Sequence, residues 1–149
     1  MTESEYTDEV RSILDGHTDQ ARSQLTKLPG LLPNAARAIE LTIFVDQDGE
    51  GFLTVRATLD GSDLYVINKA IEDCALLFDT KMVDGQMVPP MPLMDPFDED
   101  FSVHDALTDC AADWLTTVWD GVDVQAIIIP VTIVSHDGYG SRTPIKLST

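Results

Sequence analysis

Val124-Gln125-Ala126-Ile127-Ile128-Ile129-Pro130-Val131-Thr132-Ile133-Val134 is the longest apolar, β-branched run in the chain. Its apolar positions are both odd and even, so it reads as a strand covered on both faces, with the rest of the chain packed around it. Downstream, Ser135-His136-Asp137-Gly138-Tyr139-Gly140-Ser141 is a glycine-rich turn and residues 142–147 read as a further strand. The pair is expected to form a β-hairpin. Pro130 has no N–H to give a ladder, which implies a bulge or one unpaired side at that point. Pro144 marks the last strand as a sheet edge.

Working outward, Ile39, Leu41, Ile43 and Val45 alternate with more polar positions, as do Leu53, Val55, Ala57 and Leu59. Between them lies Asp46-Gln47-Asp48-Gly49-Glu50-Gly51, so these runs form another hairpin. Residues 3–28 read as one amphipathic helix with Tyr6, Val10, Ile13, Leu14, His17, Ala21, Leu25 and Leu28 at helical spacing. Thr2 and Glu5 fit a capping box at its start, and Pro29-Gly30 is expected to stop it. His17 lies on the apolar side as a hydrogen-bonded boundary residue. Residues 62–79 carry both a helical period and, at Leu64-Tyr65-Val66-Ile67, strand propensity; the period favours a helix. Residues 102–119 read as the clearest helix. Ser102 caps it, and Val103, Leu107, Cys110, Trp114 and Val118 form its apolar stripe.

Residues 80–101 form a long loop with four prolines and four of the five methionines. A connection of this length is often functional, and Val83-Asp84-Gly85-Gln86 suits a short hairpin turn within it. The order of elements predicts a single α+β domain over residues 1–149: two β-hairpins in a mostly antiparallel sheet, packed against about three helices.

Net charge is −17, from 26 acids against 9 bases. Such a chain repels nucleic acid and anionic membranes and attracts a basic protein partner. Residues 82–141 contain no Lys or Arg and eleven acids. No apolar run approaches the roughly 20 residues that span a bilayer, and the acidic start of the chain lacks the pattern of a signal peptide, so a cytoplasmic location is expected. Cys74 and Cys110 lie on apolar helical stripes and are expected to be buried free thiols.

No catalytic signature, metal framework or cofactor motif is present, which favours a binding protein over an enzyme. Asp46-Gln47-Asp48-Gly49-Glu50-Gly51 has the opening of a calcium loop, but Ala57 stands where the bidentate glutamate belongs and the flanks read as strands. Asp105, Asp109 and Asp113 recur every four residues on the polar face of the last helix, roughly 6 Å apart. Each like-charged pair disfavours the helix by roughly 0.2–0.5 kcal/mol, with no neighbouring lysine to relieve it. Trp119 falls off the apolar stripe and is expected at the edge of this face. A partner surface of Asp98, Asp100, Asp105, Asp109, Asp113 and Trp119 follows, alongside the plainer reading of a solvated helix face. That surface suits an immunity-protein-like inhibitor of a basic nuclease toxin. The alternative is a small-ligand site or enzyme built around His136, Asp137 and Tyr139, where histidine beside aspartate provides acid–base chemistry.

Asp46-Gln47-Asp48-Gly49-Glu50-Gly51, Asp63-Leu64-Tyr65-Val66-Ile67-Asn68, Asp95-Pro96-Phe97-Asp98 and His136-Asp137-Gly138-Tyr139-Gly140 together resemble an uncharacterised family of small acidic actinobacterial proteins, a domain of unknown function. The resemblance covers most of the chain and implies no activity or catalytic residue.

Overall fold

The structure is a computed structural model that describes every residue except Gly49, residues 96–99, Val124 and Thr149. In chain order its elements are α1 (Glu3–Asp15), α2 (Thr18–Leu31), β1 (Ala36–Val45), β2 (Leu53–Gly61), α3 (Leu64–Ala70) and α4 (Glu72–Ala75). There follow β3 (Leu76–Asp79), β4 (Lys81–Val83), β5 (Gln86–Val88), α5 (Val103–Asp120), β6 (Val131–Ser135) and β7 (Ile145–Ser148). The main sheet runs β3-β2-β1-β6-β7, and β4 pairs with β5 in a separate ribbon. The architecture is α+β, as expected.

β1 is the centre of the sheet. It pairs antiparallel with β2, Ile39 opposite Leu59 and Ile43 opposite Val55, and parallel with β6, Ile39 opposite Val131. The remaining pairs, β2 with β3 and β6 with β7, are antiparallel. The alternation read in the sequence puts Ile39, Leu41, Ile43, Leu53, Val55, Ala57, Val131 and Ile133 on one face, all buried. α1, α2 and α5 cover this face, with Tyr6, Leu14, Leu25, Trp114 and Leu115 fully buried beneath them. The opposite face carries Glu40, Phe44, Thr54, Arg56, Thr58 and Thr132, half-buried or exposed.

Of the long strand expected over residues 124–134, Val124 lies outside the described residues, and the rest is shorter than expected and covered on one face only. The strand begins at Val131, and Ile128 is 88% exposed. Pro130 explains the boundary: it has no N–H to donate, so its carbonyl alone joins the ladder, accepting from Ile39 N at 2.8 Å. Ile127 and Ile129 still pack against the core from outside the sheet. β7 is an edge strand, as Pro144 suggested, with β3 at the other edge.

The first helix is two. Gly16 caps α1, and His17, with φ −109° and ψ 7°, breaks the helical path before α2 starts. The capping box of Thr2 and Glu5 is present, and those bonds hold the Glu5 carboxyl below its ordinary pKa. His17 donates from Nδ1 to Ile13 O at 3.0 Å and meets Phe78 edge-on, the boundary role expected of it. Pro29 does not stop the chain. It sits in the last turn of α2, which continues to Leu31. Residues 62–79 are helical only as far as Ala75; Leu76–Asp79 is the strand β3. Buried Thr80 extends that pairing, because Leu53 N donates to its Oγ1 at 2.9 Å and its hydroxyl donates to Leu53 O at 3.2 Å.

In the long loop, the expected hairpin turn is present. Asp84 (φ 51°) and Gly85 (φ 79°) join β4 to β5 with the two left-handed residues that a tight hairpin turn favours. Met87, Met91 and Met94 are buried and fill the space beneath the loop, while Met82 is exposed.

Candidate functional site

α5 is capped by Ser102, whose Oγ accepts from Asp105 N at 3.2 Å. Its apolar stripe packs on the core, and Asp105, Asp109 and Asp113 project from an adjoining flank toward the loop between β6 and β7. These carboxylates are not a bare ladder. Asp105 Oδ1 accepts from Gly140 N at 2.8 Å. Asp109 accepts from Ser141 N at 2.9 Å, from Ser141 Oγ at 3.2 Å and from Arg142 N at 3.1 Å. Asp113 pairs with the Arg142 guanidinium at 2.9 Å. The successive loop N–H groups thus meet a row of acceptors, which relieves the repulsion that the spacing alone implies.

Gly140 makes the approach possible. Its φ is +81°, and a Cβ there would stand 2.5 Å from Asp109 Oδ1. Tyr139, next to it, stacks on His104 of α5 with centroids 4.3 Å apart. His104 in turn donates from Nε2 to Gln47 O at 3.0 Å, so one imidazole ties α5 to both glycine-rich turns.

Trp119 is 7% exposed and belongs to the core, so it offers no ring to a partner. Its offset from the stripe is absorbed because α5 is covered on more than one side. Asp100 is exposed, and Asp98 lies outside the described residues. The structure therefore brings Asp105, Asp109 and Asp113 together and separates Trp119 from them.

His136, Asp137 and Tyr139 go to different neighbours. His136 packs on Phe44, centroids 4.7 Å apart, on the open face of the sheet. Asp137 is exposed, and Tyr139 is turned onto α5. Asp46 is committed within its own turn: its carboxylate accepts from Glu50 N, Gly51 N and Phe52 N at 3.0–3.2 Å. The described residues contain no cluster of three or more metal-ligating side chains.

A cleft of about 280 Å³ separates α1 from α5. Glu3, Asp8, Asp109 and Asp113 line it, with Arg11 and Arg142 among them. Arg11 is bound to Asp15 at 2.9 Å and to Thr117 Oγ1 at 2.9 Å. Cys110 lies at the cleft floor; burial pushes its thiol up to about 11, with Arg11 opposing and Asp113, Asp15 and Asp8 reinforcing the rise. At the far end of α5, Arg22 donates to the carbonyls of Val118 and Thr117 at 3.1 and 2.9 Å and completes the helix C-terminus.

Sequence reasoning missed Arg142, His104 and Arg22. Arg142 left a readable signal: it is the first base after residues 82–141, and it directly follows a turn rich in free N–H groups. His104 and Arg22 left none, because their partners are backbone carbonyls far along the chain.

No helix among the described residues is long and apolar enough to cross a membrane. No curated protein and no solved structure matches the chain. A family model described as a family of unknown function (DUF6389) matches residues 1–149, and the chain belongs to that family.

Proposed function

We propose that this protein is a binding module for a basic protein partner, acting as an immunity-protein-like inhibitor docks on a basic nuclease toxin. The observation that carries the reading is the acidic cleft between α1 and α5 in a chain of net charge −17. Its two arginines already have carboxylate partners, Asp15 and Asp113, so Glu3 and Asp8 face solvent without a cation among the described residues. Such a surface speeds encounter with a cationic protein and disfavours acidic competitors.

The proposed surface keeps Asp100, Asp105, Asp109 and Asp113 and drops Trp119. Because Asp109 also holds the loop, its replacement tests the fold together with binding. Glu3→Gln with Asp8→Asn is the cleaner variant, since both side chains are exposed and neither makes a side-chain bond among the described residues. The experiment is capture from a lysate of the source organism at low salt, with elution by rising salt, for the native and double-variant proteins. A basic protein recovered in stoichiometric amount by the native protein and depleted with the variant supports the proposal. Equal recovery by both removes the assigned cleft, and recovery of no basic protein removes the reading.

A further inference from the structure

We propose that the groove between α3 and β2 binds a small organic anion built on a planar ring, such as an aryl phosphate or aryl carboxylate. The groove encloses about 320 Å³, a volume suited to a small ligand. Arg56 and Lys69 line it, both exposed, and neither has a carboxylate partner among the described residues. In a chain with 9 bases against 26 acids, two cations in one groove with no carboxylate partner among the described residues stand against the general charge. Beside them the Tyr65 ring is 75% exposed, and Lys69 Nζ lies 5.9 Å from its centroid. The Lys69 ammonium thus lies over one face of an otherwise exposed ring, so an anion that meets Arg56 and Lys69 brings its own ring against the uncovered part of Tyr65.

The wall of the groove is held in place before any ligand arrives. The Asn68 side chain accepts from Leu59 N at 2.8 Å and donates to Leu59 O at 3.1 Å, which latches α3 to the end of β2. Glu72 lines the same groove, so a bare inorganic anion gains less there than one whose ring reaches Tyr65.

The test is a titration of isotope-labelled protein with phenyl phosphate, followed by backbone amide shifts, with phenol and inorganic phosphate as separate arms. Phenyl phosphate is expected to saturate below about 10 mM and to shift signals at residues 56–58 and 65–75, with phenol and inorganic phosphate each weaker by about tenfold. Arg56→Gln and Lys69→Gln are each expected to weaken phenyl phosphate by about tenfold, while Tyr65→Leu weakens phenyl phosphate and leaves inorganic phosphate unchanged. All three positions are exposed, so unchanged melting temperatures show that the variants are folded. Failure of phenyl phosphate to saturate, shifts centred elsewhere, phosphate binding as tight as phenyl phosphate, or variants that bind like the native protein would each overturn the proposal. This groove is separate from the α1–α5 cleft, so its outcome does not depend on that of the partner capture.

Discussion

Asp109 combines three roles in one side chain: it accepts from two backbone N–H groups and a hydroxyl, it neighbours Asp105 and Asp113 on α5, and it sits where Gly140 leaves room for it. Asp109→Ala leaves those loop donors without their acceptor, and the expected loss is about 1–3 kcal/mol in urea unfolding. Gly140→Ala should lose a similar amount by clashing with the same carboxylate and straining the left-handed backbone. Tyr6 is the opposite case. Its hydroxyl is fully buried with no hydrogen-bond partner among the described residues, and burial raises its pKa. Tyr6→Phe removes an unsatisfied polar atom while keeping the ring against Phe101, so stability should hold or rise by up to about 1 kcal/mol. Cys110 gives a signed pH dependence. Its folded pKa of about 11 stands above the ordinary thiol value of 9.0, so the unfolded chain loses that proton first as pH rises. Stability from this group is complete below the unfolded value and falls between pH 9 and 11. Comparing the alkaline unfolding profiles of the native protein and Cys110→Ala isolates that slope; identical profiles would contradict the assignment.

At the scale of elements, the tight turn of the β4–β5 ribbon needs Gly85 with φ 79°. Gly85→Val should cost about 1–2 kcal/mol and release amide protection in Lys81–Val83 and Gln86–Val88 before the main sheet opens, which hydrogen exchange measures. Elements whose burial repeats with their own period were legible in the sequence: β1 and β2 by alternation, α5 by its stripe and Ser102 cap. Those decided by contacts from far away were not. Leu76–Asp79 continues a helical pattern locally, yet the free edge of β2 and the Thr80 bonds draw it into the sheet. Residues 125–130 have strand composition, but Pro130 keeps them out of the ladder. The α5 aspartates were legible as a row but not as an anchor, because Asp105 and Asp109 are met mainly by backbone N–H groups that no residue type announces; Arg142, the partner of Asp113, was the readable part. His136, Asp137 and Tyr139 read as neighbours in sequence and diverge in space, since a turn sends adjacent side chains to different faces.

For the whole molecule, the excess of acids sets the response to salt. A net charge of −17 repels itself in the compact state, and raising ionic strength from about 0.01 M to 1 M shortens screening from about 30 Å to 3 Å. The melting temperature should rise by on the order of 5 °C over that range, and a flat or falling curve would show that the acids are locally compensated.

The parallel pairing of β1 with β6 has a consequence for how the chain is made. Ile39 finds Val131 only after about ninety further residues have been synthesised, whereas β1 and β2 can close on each other at once. A nascent chain on the ribosome therefore carries a finished hairpin whose β1 edge stays open from the end of β2 at Gly61 until Val131 has been made, and that edge is where strand-to-strand association with other nascent chains begins. The late arrival of β6 keeps the growing polypeptide open to aggregation along β1 until Pro130 has emerged.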